Sequence, residues 1–160
     1  MVFLGADGTA VERSADAAVA RLREVLPGIY RLLAQASLDD AEGEEPLTLT
    51  QQRLLGRLAE GCRLTSELAE RLGLSPSTVS AVVDGLVRRG LVERLPPGVD
   101  RRTTPLRATP AGAAAAAAAR RRQDRALAEL LAHLSPAELQ ALGSGLAGLR
   151  RALTALHLAS

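Results

Sequence analysis

Apolar residues recur at three- and four-residue spacing in separate stretches of this chain, and most of those stretches are bounded by residues that start or stop a helix. Ala18, Val19, Leu22, Val25, Leu26, Ile29, Leu32 and Leu33 form the first stripe and predict a helix from Ser14 onward. Pro27 removes an intrahelical hydrogen bond and crowds the preceding turn, so this helix is expected to kink or split there. Residues 1–12 show little periodicity and read as a loose amino terminus, and the acidic, turn-rich residues 38–46 read as a solvated linker. Thr48 and Gln51 then form a capping box that opens a helix carrying Leu54, Leu55, Leu58 and Ala59 on one face, with Gly61 ending it.

The most informative stretch follows. Thr65 is expected to cap a helix through Leu72, ended by Gly73. Ser75 caps a second helix with Pro76 in its first position and Gly90 after its last turn. Val79, Val82, Val83, Leu86 and Val87 form its buried stripe. Its other face carries Ser77, Thr78, Ser80 and Ala81, whose short side chains allow close approach to a DNA groove, while the helix start offers free N–H groups and a positive dipole to phosphate. Residues 91–95 and 103–108 read as two strands joined through the Pro96, Pro97 and Gly98 turn, with Asp100, Arg101 and Arg102 in the connecting loop. An arginine at a hairpin tip suits a narrow, negative minor groove, and a neighbouring carboxylate can orient its guanidinium.

Beyond the hairpin, Thr109 caps and Pro110 begins a long helix expected to reach about His133. It opens on an alanine run at 113–119 and continues through Arg120, Arg121 and Arg122. The run reads as compositional drift rather than a specialised seam, and the arginines as a solvated face. Ser135, Pro136 and Glu138 open a last helix to about Leu158, with Leu139, Leu142, Leu146, Leu149, Leu153 and Leu156 along one side. A leucine stripe of that length in a small protein needs a partner to cover it, and a second copy of the chain is the expected one.

Composition sharpens this picture. The 160 residues suffice for one domain with a real core, and with one Tyr, one Phe and no Trp that core has to be built from Leu, Val and Ala. Every basic residue is Arg, a bias that fits a GC-rich genome. The net charge is only +2, but residues 1–45 hold four Arg against nine acids (−5), residues 46–112 ten against six (+4) and residues 113–160 six against three (+3). The basic surplus thus begins with the helix pair and hairpin, where phosphate contacts would need it.

The run SPSTVSAVVDGLVRRGLVER, followed by DRR and then LRATPAG, resembles the winged helix-turn-helix core of the MarR family of bacterial transcriptional regulators. The resemblance implies a mainly α fold with a small two- or three-stranded β-wing: an amino-terminal helix contributing to dimerisation (1–45), a winged helix-turn-helix DNA-binding region (46–109) and carboxy-terminal helices of the dimerisation lobe (110–160), one structural domain overall. It further implies a homodimeric, sequence-specific regulator, a repressor, on a pseudo-palindromic duplex. Ser75, Ser77, Thr78, Ser80 and Ala81 would then face DNA, Arg102 would enter the minor groove, Asp100 would orient it, and Arg101 would touch backbone phosphate. Family members bind small aromatic or phenolic acids in a crevice between the lobes; Tyr30 is the candidate for such an effector, with plain packing as the other reading.

Catalysis finds no foothold. No HExxH, CxxC, P-loop or GxGxxG pattern occurs, and His133 and His157 stand near helix ends away from any nucleophile. No enzyme activity, cofactor or metal is expected. Cys62 reads as a small buried residue, with a redox switch as the alternative; as the only cysteine it excludes an intrachain disulfide. No signal peptide or apolar run of transmembrane length is apparent, so a soluble cytoplasmic protein without a membrane partner is expected. A winged-helix module for protein contacts without DNA is the competing reading.

Overall fold

The computed structural model describes residues 7–38, 46–61, 63–96 and 104–156. The elements run α1 (Asp7–Leu38), α2 (Leu49–Ala59), α3 (Thr65–Leu72), α4 (Pro76–Arg88), β1 (Val92–Arg94), β2 (Leu106–Ala108), α5 (Pro110–Leu131) and α6 (Pro136–Ala155). The fold is mainly α, with a wing of two antiparallel strands whose register pairs Val92 with Ala108, Glu93 with Arg107 and Arg94 with Leu106. The Arg63 carbonyl accepts from the Leu106 N–H at 2.8 Å, which ties the start of α3 to the free edge of β2.

Local chemistry accounts for most helix ends. Thr48 Oγ1 accepts from the Gln51 N–H at 3.3 Å while Thr48 N–H donates to Gln51 Oε1 at 2.9 Å, closing the capping box of α2. Ser135 and Glu138 do the same for α6, and the Thr109 hydroxyl accepts from the Gly112 N–H at 3.1 Å to start α5. After α4, Gly90 takes φ 68°, a left-handed conformation that lets Leu91 N–H turn back to the Leu86 carbonyl at 2.9 Å.

Several expectations are corrected. Helix α1 begins at Asp7, so residues 7–12 are not loose. It also continues through Pro27 as one helix to Leu38 instead of splitting: a proline deletes only one N–H, and the turns on either side keep theirs. Thr65 is the first residue of α3, not its cap. That position falls to Leu64, and it is the Glu67 carboxylate that accepts from the Arg63 and Leu64 N–H groups, at 3.1 and 3.2 Å. The strands are shorter than the apolar runs suggested, and α5 stops at Leu131, short of His133. Residues 39–45 of the expected linker lie outside the described residues, as do Cys62 and His157.

The core lies where α2, α3 and α4 meet the wing. Leu54, Leu55, Leu68, Val79, Val83, Leu86 and Leu106 are fully buried, with Leu47, Leu58, Leu72, Leu91 and Val92 around them. Among the described residues no aromatic side chain takes part. The alanine run supplies the α5 side of this packing: Ala115 and Ala116 lie against the core and Ala119 is fully buried. Its inward positions therefore do form a close seam, within the chain, which drift alone does not describe. Gly112 carries the argument further, because a Cβ there would stand 2.0 Å from the Leu91 carbonyl oxygen. In the arginine run, Arg120 and Arg121 are exposed, whereas Arg122 turns inward and its buried Nε has no hydrogen-bond partner among the described residues. No residue of α6 is buried, and its stripe leucines from Leu139 to Leu153 remain 38% to 55% exposed.

Candidate nucleic-acid interface

Helix α4 presents two chemically distinct faces. Val79, Val83 and Leu86 are buried, so the opposite face, with Ser77, Ser80, Ala81, Asp84 and Arg88, is turned to solvent. The positions singled out from the sequence, Ser75, Ser77, Thr78, Ser80 and Ala81, are all exposed and share the amino-terminal half of this helix. Ser75 Oγ accepts from the Thr78 N–H at 3.1 Å and lies 2.9 Å from Ser77 Oγ and 2.7 Å from Thr78 Oγ1. Short hydroxyls thus gather at the positive end of the helix dipole, a setting that favours an incoming phosphate oxygen.

Two arginines adjoin this face, Arg88 on α4 itself and Arg94 through Asp84, and sequence reasoning passed over both. Arg88 follows Ser77, Ala81 and Asp84 at helical spacing; that spacing was the signal available for it. Arg71 on α3 and Arg88 on α4 are exposed and form no ion pair among the described residues. Arg94, on β1, reaches Asp84 on α4 at 2.5 Å, linking wing and helix, with the two side chains 42% and 50% exposed. Across the wing Arg107 Nε bonds Glu93 Oε1 at 2.6 Å, the pair that the strand register places opposite each other. The hydrogen bond to Glu93, and then its charge, raise the Arg107 pKa above the ordinary arginine value.

Leu95 N–H donates to the Pro105 carbonyl at 2.8 Å, so the two arms of the wing are still side by side at that point. Asp100, Arg101 and Arg102, the loop residues expected at the minor groove and the adjoining phosphate backbone, lie outside the described residues. Tyr30 is 63% exposed on α1. A shallow groove of about 410 Å³ between α1 and α5 is lined by Val25, Gly28, Ile29, Arg31, Leu32, Gln35 and Leu130, and Tyr30 is not among its walls. His133 is exposed just past α5, and among the described residues no cluster of His, Cys, Asp and Glu could hold a metal ion. Among the same residues no helix is long and apolar enough to cross a membrane.

Comparison with known proteins places this geometry. The model of the MarR family matches residues 46–103, the stretch from α2 into the wing. An uncharacterized HTH-type transcriptional regulator of Bacillus subtilis, YfiV, is 29% identical over 134 residues, covering 82% of this chain and 84% of the other. A MarR family protein from Bacillus stearothermophilus superposes with a TM-score of 0.73 at 25% identity, over 89% of this chain and 97% of its own. Wild-type apo MarR from E. coli gives a TM-score of 0.69 at 24% identity, over 81% and 94% of the two chains, a likeness that speaks for the fold alone.

Proposed function

From the premise that the chain belongs to the MarR family of transcriptional regulators, we propose that it binds a pseudo-palindromic operator as a homodimer and acts there as a repressor. The observation that carries this reading is α4 itself: a helix held from behind by Val79, Val83 and Leu86, with a solvent face of small and hydroxylated residues, an open amino terminus and flanking arginines. Such a face fits a major groove without steric conflict, and the wing beside it extends the contact along the backbone. Residues 46–109 form the reading head in this proposal, and 1–45 with 110–160 form the dimerising part.

A second copy of the chain is supported by what α1 and α6 leave uncovered. Val19, Leu22, Val25 and Leu26 on α1 and Leu139, Leu142, Leu146, Leu149 and Leu153 on α6 are each at least 38% exposed. Apolar surface on that scale is unfavourable in water, and burying it between two chains would remove it. Two heads on one rigid dimer meet successive major grooves only at one separation. A small aromatic or phenolic acid, the effector class implied by the family likeness, would release DNA by binding better to another separation. The protein works in the cytoplasm in this reading, alongside the chromosome.

The test is fluorescence anisotropy with duplexes from upstream of the gene, over a salt series, with scrambled duplex as reference and Arg102→Ala in parallel. Site-selective binding that weakens steeply with salt and falls in the variant is the expected result. Absence of binding to any duplex at low salt, scrambled DNA included, would overturn the DNA reading.

A further inference from the structure

Where α1, α2 and α5 meet, a chain of polar side chains interrupts the apolar packing. Ser37, near the end of α1, is 2% exposed and donates to the Leu33 carbonyl at 2.7 Å. Gln52 on α2 is 9% exposed and donates its amide to the Leu47 carbonyl at 2.9 Å. Gln123 on α5 closes the chain: its Nε2 donates to the Ser37 hydroxyl oxygen at 3.1 Å and also to the Gln52 side-chain carbonyl. One amide group thus spends its two protons on two different helices.

The direction of each bond is forced. A main-chain carbonyl can only accept, so Gln52 has to turn Nε2 toward Leu47 and Oε1 toward Gln123. The Ser37 proton is committed to Leu33 by the same rule, which leaves only lone pairs facing Gln123. Gln123 must therefore donate twice, and the reverse orientation of its amide satisfies neither neighbour. This arrangement has one low-energy geometry, because hydrogen bonds weaken steeply as they bend.

Its position along α5 gives it leverage. The first attachment of α5 is at its start, where Thr109 N–H donates to the Leu91 carbonyl at 3.0 Å, the Thr109 hydroxyl donates to the Gly90 carbonyl at 2.7 Å, and Gly112 lies against Leu91. Gln123 lies eleven residues beyond Gly112, about 16 Å along the helix axis. Between them the inward residues Ala115, Ala116 and Ala119 pack closely but are small, so this stretch resists rotation of α5 less than larger interlocking side chains would. One attachment point fixes where a rod begins; a second one fixes its direction.

We propose that Gln123 is a positioning residue whose double donation to Ser37 and Gln52 sets the angle between the reading head and the helices that carry it. The consequence for operator binding rests on the DNA-binding dimer proposed above; the angle itself does not. Without this joint α5 pivots about its start, the two α4 helices of a dimer sample many separations, and few of them match two half-sites at once.

The experiment measures the angle inside one chain. Spin labels are placed at Ala81→Cys on α4 and Glu129→Cys on α5, with Cys62→Ser, and the labelled chain is diluted into unlabelled chain so that only intrachain pairs report; duplex binding is measured on chains without the label substitutions. Gln123→Glu keeps the shape but offers acceptors where donors are needed, and Gln123→Met keeps the length with no hydrogen bond. The expected result is a narrow distance distribution in the otherwise wild-type chain and a broadened or displaced one in each folded variant. Binding to a two-half-site operator should fall about tenfold, while affinity for random duplex is retained. An unchanged distribution in a variant with native circular dichroism overturns the proposal, and if Gln123→Glu fails to fold, Gln123→Met decides. A parent chain that binds no duplex overturns the DNA reading and leaves the distance measurement valid.

Discussion

One methyl group added at Gly112 should separate the two halves of this structure. An ideal Cβ there would lie 2.0 Å from the Leu91 carbonyl oxygen, 2.9 Å from its carbon and 3.2 Å from its Cα, and all three are main-chain atoms. Leu91 cannot easily retreat, because its N–H is bonded to the Leu86 carbonyl and its own carbonyl to the Thr109 N–H. An ordinary carbon–oxygen contact is about 3.3 Å or more, so α5 has to lift by roughly 1 Å. Overpacking of this kind costs about 1–3 kcal/mol, and strained or lost bonds from Thr109 to Leu91 and Gly90 cost about 1 kcal/mol each. Alanine's greater helix propensity returns less than about 1 kcal/mol, leaving Gly112→Ala destabilising by about 2–4 kcal/mol. Gly56→Ala is the control, since a Cβ in that part of α2 meets nothing within 4 Å. It should stabilise by about 0.5–1 kcal/mol through propensity alone. Urea unfolding of both variants and the parent, followed by far-UV circular dichroism at one protein concentration, reads the difference directly. A Gly112→Ala chain as stable as the parent would refute the close approach of α5 to Leu91.

Three further outcomes are expected. Ser75→Ala removes the side-chain cap of α4 and should cost about 1 kcal/mol in a urea melt, with weaker duplex binding because the hydroxyl cluster around Ser77 and Thr78 loses its centre; an unchanged melt would count against the cap. Asp84→Asn breaks the half-exposed pair with Arg94, so stability should move by less than about 1 kcal/mol, while the released arginine strengthens binding to random duplex and steepens its salt dependence by about one ion; weaker binding would contradict this. Glu138 is held below the ordinary glutamate value of 4.5 by the Ser135 hydroxyl first and the Ser135 N–H second. Since the folded value is the lower one, this cap contributes fully above the unfolded pKa and is lost as pH falls through the folded pKa, so an NMR titration of the Glu138 carboxyl should show the depressed value and Ser135→Ala should raise it.

Much of the fold was legible because its signals are local. A cap such as Thr48 with Gln51 or Ser135 with Glu138 closes within four residues, and the stripe of α4 needs only the helical period to separate Val79, Val83 and Leu86 from Ser77, Ser80 and Ala81. The exposed face of α4 was readable for the same reason. Arg88 could have been read by that period; Arg94 could not, because its place beside α4 depends on how the wing folds back. Where local rules competed, they misled: Thr65 looks like a cap, but the helix starts one residue earlier, and Glu67 reaches back from inside it to the Arg63 and Leu64 N–H groups.

The order of the elements, most of their caps and the apolar side of each amphipathic helix were determined by the amino-acid sequence alone, since each depends on neighbours a few residues apart. Only the tertiary structure decided which small residues are indispensable and which polar residues meet. Gly56 and Gly112 are both helical glycines, and only the path of Leu91 makes one of them irreplaceable by alanine. Ser37, Gln52 and Gln123 look like three unrelated polar residues on three helices until packing brings them together. Their meeting depends on how three helices pack, and sequence spacing holds no record of that.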